Sequence, residues 1–488
     1  MAPLEVGGDE VVLAGEVRVQ GRRCDPRTPE NGVDAGRRDT ALIEQLFGGV
    51  KQTFPRRCPH ARSNHARSNH ACTVTTVMAK RSLQPHATGS PSGLLASGTG
   101  LIAVTYGMVR YGYGLQLPQL TAEFALTPRT AGAIASGSFA AYCVAALVAQ
   151  RLIARRGARL VLWLAAGLAA MGALLVALSW SPLTLALGVL VAGSAAGAAS
   201  PAMVVAVAST VRGPLVARAQ AVVNAGTGVG VALTGVAALA TPQVWRPVWF
   251  CAAAAALLTA AAVDRRTDWP VAPQQTPPGI ERRRARHAAG PGSTMLRPVL
   301  AAVVAGVGSA AVWTFGRDLI TNTGGLPERT TAALWCLLGA AAVLGAFSGD
   351  AVRLFGLRRA WVLTATLTAT GTAVLALAPG NALSAAAAGA VFGGAYTALS
   401  GVLIAWAGAL RPHAAGQATA TVFIALTAGQ ALGAAATGAL AERAGAPVAF
   451  WVCAALLLVA AGVLPAKTRV ALNADARTVA TLNRPVAA

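Results

Sequence analysis

Acidic residues are scarce in this chain, and so are most of the groups that perform enzyme chemistry. Its 488 residues contain only 18 Asp and Glu against 40 Lys and Arg. Nine of those acids, Glu5 through Glu44, sit within the first 77 residues. Histidine is equally sparse: of 6 in total, only His287 and His413 follow the first long apolar run. No G-x-S-x-G, H-E-x-x-H or phosphate-cradling P-loop occurs. Clustered acid, base or nucleophile residues are what an intramembrane enzyme needs at depth, so the chain is not expected to be an enzyme. Charged residues make up 12% of the whole, about half the quarter or so usual in a soluble domain. The 7 cysteines form no framework, since Cys143, Cys251, Cys336 and Cys453 each stand alone inside apolar sequence. No structural disulfide is expected, and no cofactor.

What is present is apolar surface. Hydrophobic residues are 55% of the chain and the mean hydropathy is +0.56, more than a soluble core could hide, so lipid must be the solvent. About 20 apolar residues make a helix long enough to cross. Twelve runs qualify: 94–117, 131–150, 159–179, 183–208, 217–239 and 247–263, then 298–320, 330–348, 360–378, 383–407, 416–439 and 446–465. This is an all-α membrane protein with twelve transmembrane helices in two six-helix halves. Residues 92–263 and 298–466 form the halves, 264–297 a Pro-rich basic linker, and 467–488 a tail.

Residues 1–91 differ in kind and read as a disordered extension. A tandem ARSNH repeat there, with Cys58 and Cys72, gives C-x-H-x4-H-x4-H-x-C. Zinc ligands usually come in closer pairs, so no metal site is expected. Met78, followed by Lys80 and Arg81 just before the first run, is the expected translation start.

The net charge of +22 raises nucleic acid as a partner, but the bases lie in short clusters between apolar runs. One set of connections carries Arg151, Arg155, Arg156 and Arg159, then Arg212 and Arg218, the ERRRAR run at 281–286, Arg353, Arg358 and Arg359, and Arg411. The alternate set carries only Arg129, Arg246, Arg329 and Arg443. By the positive-inside rule both termini are cytoplasmic, in a multi-pass inner (plasma) membrane protein. The lipid bilayer is the partner, nucleic acid is not, and a monomer is expected.

The two halves repeat one another. Pro128 and Pro327 differ by 327 − 128 = 199, and Gly157 and Gly356 by 356 − 157 = 199. Gly226, Gly230, Thr234 and Gly235 match Gly429, Gly433, Thr437 and Gly438 at 203, and Pro247-Val248 matches Pro447-Val448 at 200. Parallel six-helix repeats are one of the known transporter plans. The segment Gly349-x-x-x-Arg353-x-x-Gly356-x-Arg358-Arg359 fits the loop motif of the major facilitator superfamily. A degraded first copy surrounds Arg155, Gly157 and Arg159, with Gln150 and Ala154 where glycine and an acid are expected. The chain resembles that superfamily over roughly residues 92–466, and the run Arg110-Tyr111-Gly112-Tyr113-Gly114-Leu115-x-Leu117-Pro118 is similar to the first span of its YbfB/YjiJ-type members. The resemblance implies alternating access, proton coupling, and a role for the loop motif in the conformational change.

Polar groups inside spans are costly and therefore candidates for the transport path. Arg110 lies about 24 Å into the first span at ~1.5 Å per residue. Tyr106, Arg110 and Tyr113 share one helix face, which suits an anionic or carbonyl-bearing ligand; alternatively Arg110 snorkels to headgroups. Trp313 and Arg317 end span seven, either opposite Arg110 or as an interfacial anchor. Asn224, Gln430 and Tyr396 bond substrate or bridge helices. Asp318, the one carboxylate near a span interior, is the candidate for proton coupling. Pro118 and Pro201 are expected to kink or end their helices. A secondary transporter of a small anionic or polar metabolite follows as the expected function. The alternatives are efflux of neutral or anionic drug-like compounds, and a non-transporting sensor or scaffold.

Overall fold

The computed structural model describes residues 91–213, 215–241, 244–270 and 295–465. The expectations for the N-terminal extension, most of the linker and the tail lie outside these residues. Among the described residues the chain forms twelve long helices and no strand. They are α1 (Pro91–Phe124), α2 (Pro128–Arg156), α3 (Ala158–Ala177), α4 (Pro182–Thr210), α5 (Leu215–Ala240) and α6 (Arg246–Asp264). The second set is α7 (Leu296–Thr323), α8 (Glu328–Phe355), α9 (Leu357–Leu377), α10 (Ala382–Leu410), α11 (Ala415–Ala444) and α12 (Ala446–Gly462). Eleven are long and apolar enough to cross a membrane by an 18-residue measure. The last, with 17 residues, sits at the short end of the ~17–25 that a crossing helix uses.

Local sequence fixes the helix ends. Thr127 caps α2 by accepting from the Thr130 amide at 3.2 Å, with Pro128 in the first turn, where a missing N–H does no harm. Ser181 and Thr184 cap α4 reciprocally, and Asn381 caps α10 by accepting from the Leu383 and Ser384 amides. Gly157 and Gly356 separate consecutive helices with φ of +86° and +76°, a backbone region that is close to glycine-only. These are the two loop glycines related by the sequence repeat, and they adopt the same conformation.

The repeat extends to helix packing. With no hydrophobic force between helices in lipid, small residues that admit close backbones set the contacts. Gly226 and Gly230 of α5 lie on the Thr99 and Ala103 carbonyls of α1; Gly429 and Gly433 of α11 lie on the Val303 and Val307 carbonyls of α7. In the first half Gly193 of α4 abuts Ser138 of α2, and in the second Gly393 of α10 abuts Leu338 of α8, both pairs offset by 200. The Gly226-x-Gly228-x-Gly230 cluster is thus packing surface, with Gly228 reaching across to Gly339 of α8. Pro118 and Pro201 both lie inside continuous helices, and neither ends one. The irregularity in α1 comes earlier, as a π-helical segment over Ala103–Arg110 in which the Tyr111 amide donates to the Tyr106 carbonyl at 3.1 Å.

Several contacts join the halves. α2 meets α11 where Gly132 and Gly438 come together and Pro128 faces Gly438, and α5 meets α8 at Gly235 and Cys336. α1 meets α7 where Gly114 lies on the Trp313 carbonyl. Following the helices from these points, the junctions run from mid-span toward the end that bears the Arg-poor connections.

Candidate functional site

The polar centre grows out of the π-helical segment of α1. A π turn inserts an extra residue and is a frequent mark of functional sites. Here it ends at Arg110, which is 6% exposed. Arg110 Nη2 donates to Gln430 Oε1 at 2.9 Å and to Thr427 Oγ1 at 3.2 Å, both on α11. Gln430 Nε2 in turn donates to the Tyr396 hydroxyl of α10 at 2.9 Å. The guanidinium carbon lies 4.2 Å from the Tyr142 ring centre, 5.2 Å from Phe139, 5.3 Å from Tyr111 and 5.4 Å from Tyr106. Tyr106 and Tyr142 share a hydroxyl hydrogen bond of 2.9 Å. Tyr111 stacks on Trp313 at 4.1 Å, and Trp313 meets Phe392 and Tyr396 edge-on at 5.7 and 5.4 Å. Tyr113 donates to the Ala131 carbonyl at 3.1 Å and lines a cavity beside Arg110. All 5 tyrosines of the chain therefore converge on this one place.

Among the described residues no carboxylate pairs with Arg110. The ion pairs among the described residues are Arg159 with Asp264, Arg246 with Glu123, and Arg353 with Asp350, each at a helix end. Burying one ion costs several kcal/mol even after relaxation. Ring contacts of ~0.5–2 kcal/mol and two hydrogen bonds from a charged donor, ~1.5–3 kcal/mol each, can offset that cost. They cannot neutralise the charge, and Arg110 Nε has no partner at all.

Arg317 of α7 is buried too, but differently held. Its Nη1 donates to the Leu115 carbonyl at 2.6 Å and to Gln119 Oε1 at 3.1 Å, both on α1. Its Nε donates to Thr331 Oγ1 at 3.1 Å and its Nη2 to the Glu328 carbonyl at 3.3 Å, both on α8. Gln119 Nε2 also donates to Glu328 Oε2 at 3.3 Å. These bonds tie the Arg-poor ends of α1, α7 and α8 together. Arg317 and Arg110 thus occupy separate groups.

The remaining candidates disperse. Asp318 is half-buried and accepts from Asn322 Nδ2 at 2.7 Å. Asn224 accepts from Gln220 on its own helix at 3.2 Å. In the loop motif, Arg159 grips Asp264 with two bonds of 2.8 and 3.0 Å, and Trp163 and Trp269 donate to the same carboxylate. Arg353 pairs with Asp350 in its own helix, while Arg155, Gly349 and Arg358 are exposed, the last in the first turn of α9. Six residues of the centre escape a reading by sequence: Tyr111, Phe139, Tyr142, Thr314, Phe392 and Thr427. The scarcity of tyrosine was the one signal that could have drawn Tyr111 and Tyr142 in.

Two six-helix bundles closed around a buried, polar-centred seam define a membrane transporter. A family model described as "Uncharacterised MFS-type transporter YbfB" matches residues 102–466, and the chain belongs to that family. No curated protein matches the sequence. Among solved structures, a D-xylose-proton symporter is similar at a TM-score of 0.63 and 15% identity, covering 76% of this chain and 96% of its own. A mutant of the nucleoside transporter NupG is similar at 0.61 and 12%, covering 76% and 98%. A bacterial homologue of the human lysosomal transporter Spinster, inward-facing and unoccupied, is similar at 0.60 and 14%, covering 76% and 96%. At these identities the likeness is one of fold. Together the findings point to a transporter rather than an enzyme.

Proposed function

We propose that this chain carries a small anionic metabolite across the cell membrane by alternating access, with Arg110 as the binding cation. The observation behind this is a guanidinium buried among neutral acceptors and rings with no carboxylate partner. An anion entering beside it would neutralise the charge and strengthen the guanidinium's hydrogen bonding in a medium of low dielectric. Gln430, Tyr396, Tyr106 and Tyr113 complete the site, and Trp313 forms one wall. Arg317 belongs to the gate at the Arg-poor end, where its bonds must break for that end to open.

With the Arg-rich connections facing the cytoplasm, the closed end is the outer one and the protein is inward-facing. It acts as a monomer in the inner membrane. Protons drive it, with Asp318 the carboxylate that exchanges them; co-transport of one proton with a monoanion is electroneutral. The loop motif around Gly157 and Gly356 accommodates the rocking of the bundles.

A thermal-shift screen of the purified protein over anionic, neutral and cationic metabolites, repeated with Arg110→Gln, tests the site. Anions should stabilise the parent and lose that effect in the variant. Equal stabilisation of both would sink the reading. Uptake of the best ligand into proteoliposomes, with and without a pH gradient, tests the coupling, which fails if the gradient leaves uptake unchanged.

A further inference from the structure

Three hydrogen-bond donors around the central cavity have no partner: Arg110 Nε, Trp313 Nε1 and Thr314 Oγ1. Their residues are 6%, 1% and 2% exposed, and all three line the same cavity. Buried polar groups in native proteins are nearly always satisfied, so a trio left open at one place calls for an acceptor. A carboxylate is the acceptor that suits them, since its two oxygens offer about four lone-pair sites and no proton. Arg110 is also the one charged side chain lining the cavity, so a single negative charge balances it. A dianion would carry an unpaired charge into a desolvated site. Four of the lining residues, Tyr111, Tyr113, Phe139 and Trp313, are aromatic, with Gly114, Ala135 and Ser138 between them, and the rings favour a flat, apolar body.

We infer that the site selects a monocarboxylate with an apolar, planar body, holding its oxygens with Arg110, Trp313 and Thr314. This rests on the anion reading above and narrows it. The water-accessible volume of the cavity is about 10 Å³, close to the minimum for one water. An aromatic acid therefore enters only as the walls part, so the bound and closed arrangements compete for the same Tyr111–Trp313 stack.

The test is equilibrium binding of radiolabelled benzoate to the full-length protein in lipid nanodiscs, with unlabelled competitors. Benzoate should displace the label at least ~10-fold better than acetate, phthalate, inorganic phosphate or the uncharged benzamide. Trp313→Phe keeps one aromatic ring and loses the N–H with the rest of the indole; Thr314→Val keeps the shape and loses the hydroxyl. Each should weaken benzoate about tenfold, the effect of one lost bond to a charged acceptor, and Thr314→Val should leave the unliganded melting temperature unchanged. Benzoate binding unaltered in both variants, or acetate equal to benzoate, overturns the assignment. Arg110-dependent binding of phosphate or phthalate without benzoate removes the monocarboxylate and leaves the anion reading standing. If no anion's binding depends on Arg110, both fall.

Discussion

Arg110 and Arg317 lie in helices that the internal repeat makes equivalent, yet they are not equivalent residues. The matched packing of Thr99 with Val303 and of Ala103 with Val307 sets the offset between these helices at 303 − 99 = 204, which carries Arg110 onto Thr314 and Arg317 back onto Tyr113. Each half has acquired its own arginine, at its own depth. Arg317 is fully buried and bonded through all three nitrogens, donating to two residues of α1 and two of α8. Arg110 bonds two side chains through one nitrogen and leaves Nε open beside a cavity. A cation bonded through all three nitrogens across a seam holds that seam shut, whereas one with an open nitrogen beside a cavity is free to take a ligand. Duplication supplied the scaffold, and the chemistry was written onto it asymmetrically.

The sharpest way to break this contrast is to remove each charge and follow stability and transport separately. Arg317→Leu strands the acceptors that Arg317 serves. Each neutral acceptor left buried without a partner costs about 1–3 kcal/mol, so thermal unfolding should drop markedly and the Arg-poor end should become reachable by impermeant reagents. Arg110→Leu relieves the desolvation cost of a buried charge that no carboxylate balances, and strands two acceptors, on Gln430 and Thr427, against four for Arg317. Its melting temperature should hold while uptake falls about 100-fold or more. If both variants lose stability alike, Arg110 is a structural residue and the contrast collapses.

The scaffold was far more legible in the sequence than the site. Composition, charge alternation and repeat offsets together specify twelve spans, because lipid admits only helices of bounded length. Their lengths were underestimated, since α1 runs from Pro91 to Phe124 with its polar end folded into the seam between the halves. The rotation of each helix about its axis was not legible. A helix apolar on all sides carries no stripe to say which face turns inward, so Tyr142 and Thr427 could not be set beside Arg110 from sequence. The π turn compounds this, because the extra residue shifts the face of everything that follows it. Arg110 itself stood out, because a charge in lipid is conspicuous whichever way it points.

A second comparison should show sameness where the arginines show difference. Gly157 and Gly356 hold φ of +86° and +76°, and a Cβ at either meets no neighbour, so any penalty for substitution is conformational. Gly157→Ala and Gly356→Ala should each cost about 1–3 kcal/mol of stability, by similar amounts in the two halves and with substrate affinity unchanged. Unequal losses, read by chemical or thermal unfolding in the same detergent, would mean that one loop is held in place by its surroundings and the other by its backbone alone.

The smallest effect expected probes the Arg110 group from within one bundle. Tyr106 and Tyr142 bond through their hydroxyls while both rings face the guanidinium. Tyr106→Phe and Tyr142→Phe each delete that bond and keep the ring, so each should weaken ligand binding about fivefold, the weight of roughly 1 kcal/mol. Because the two hydroxyls act as one unit, the double variant should lose little more than either single one. Additive losses would show instead that each hydroxyl reaches the ligand independently. The ligand would then sit deeper in the first bundle, on the α2 side of Arg110 rather than between Arg110 and Trp313.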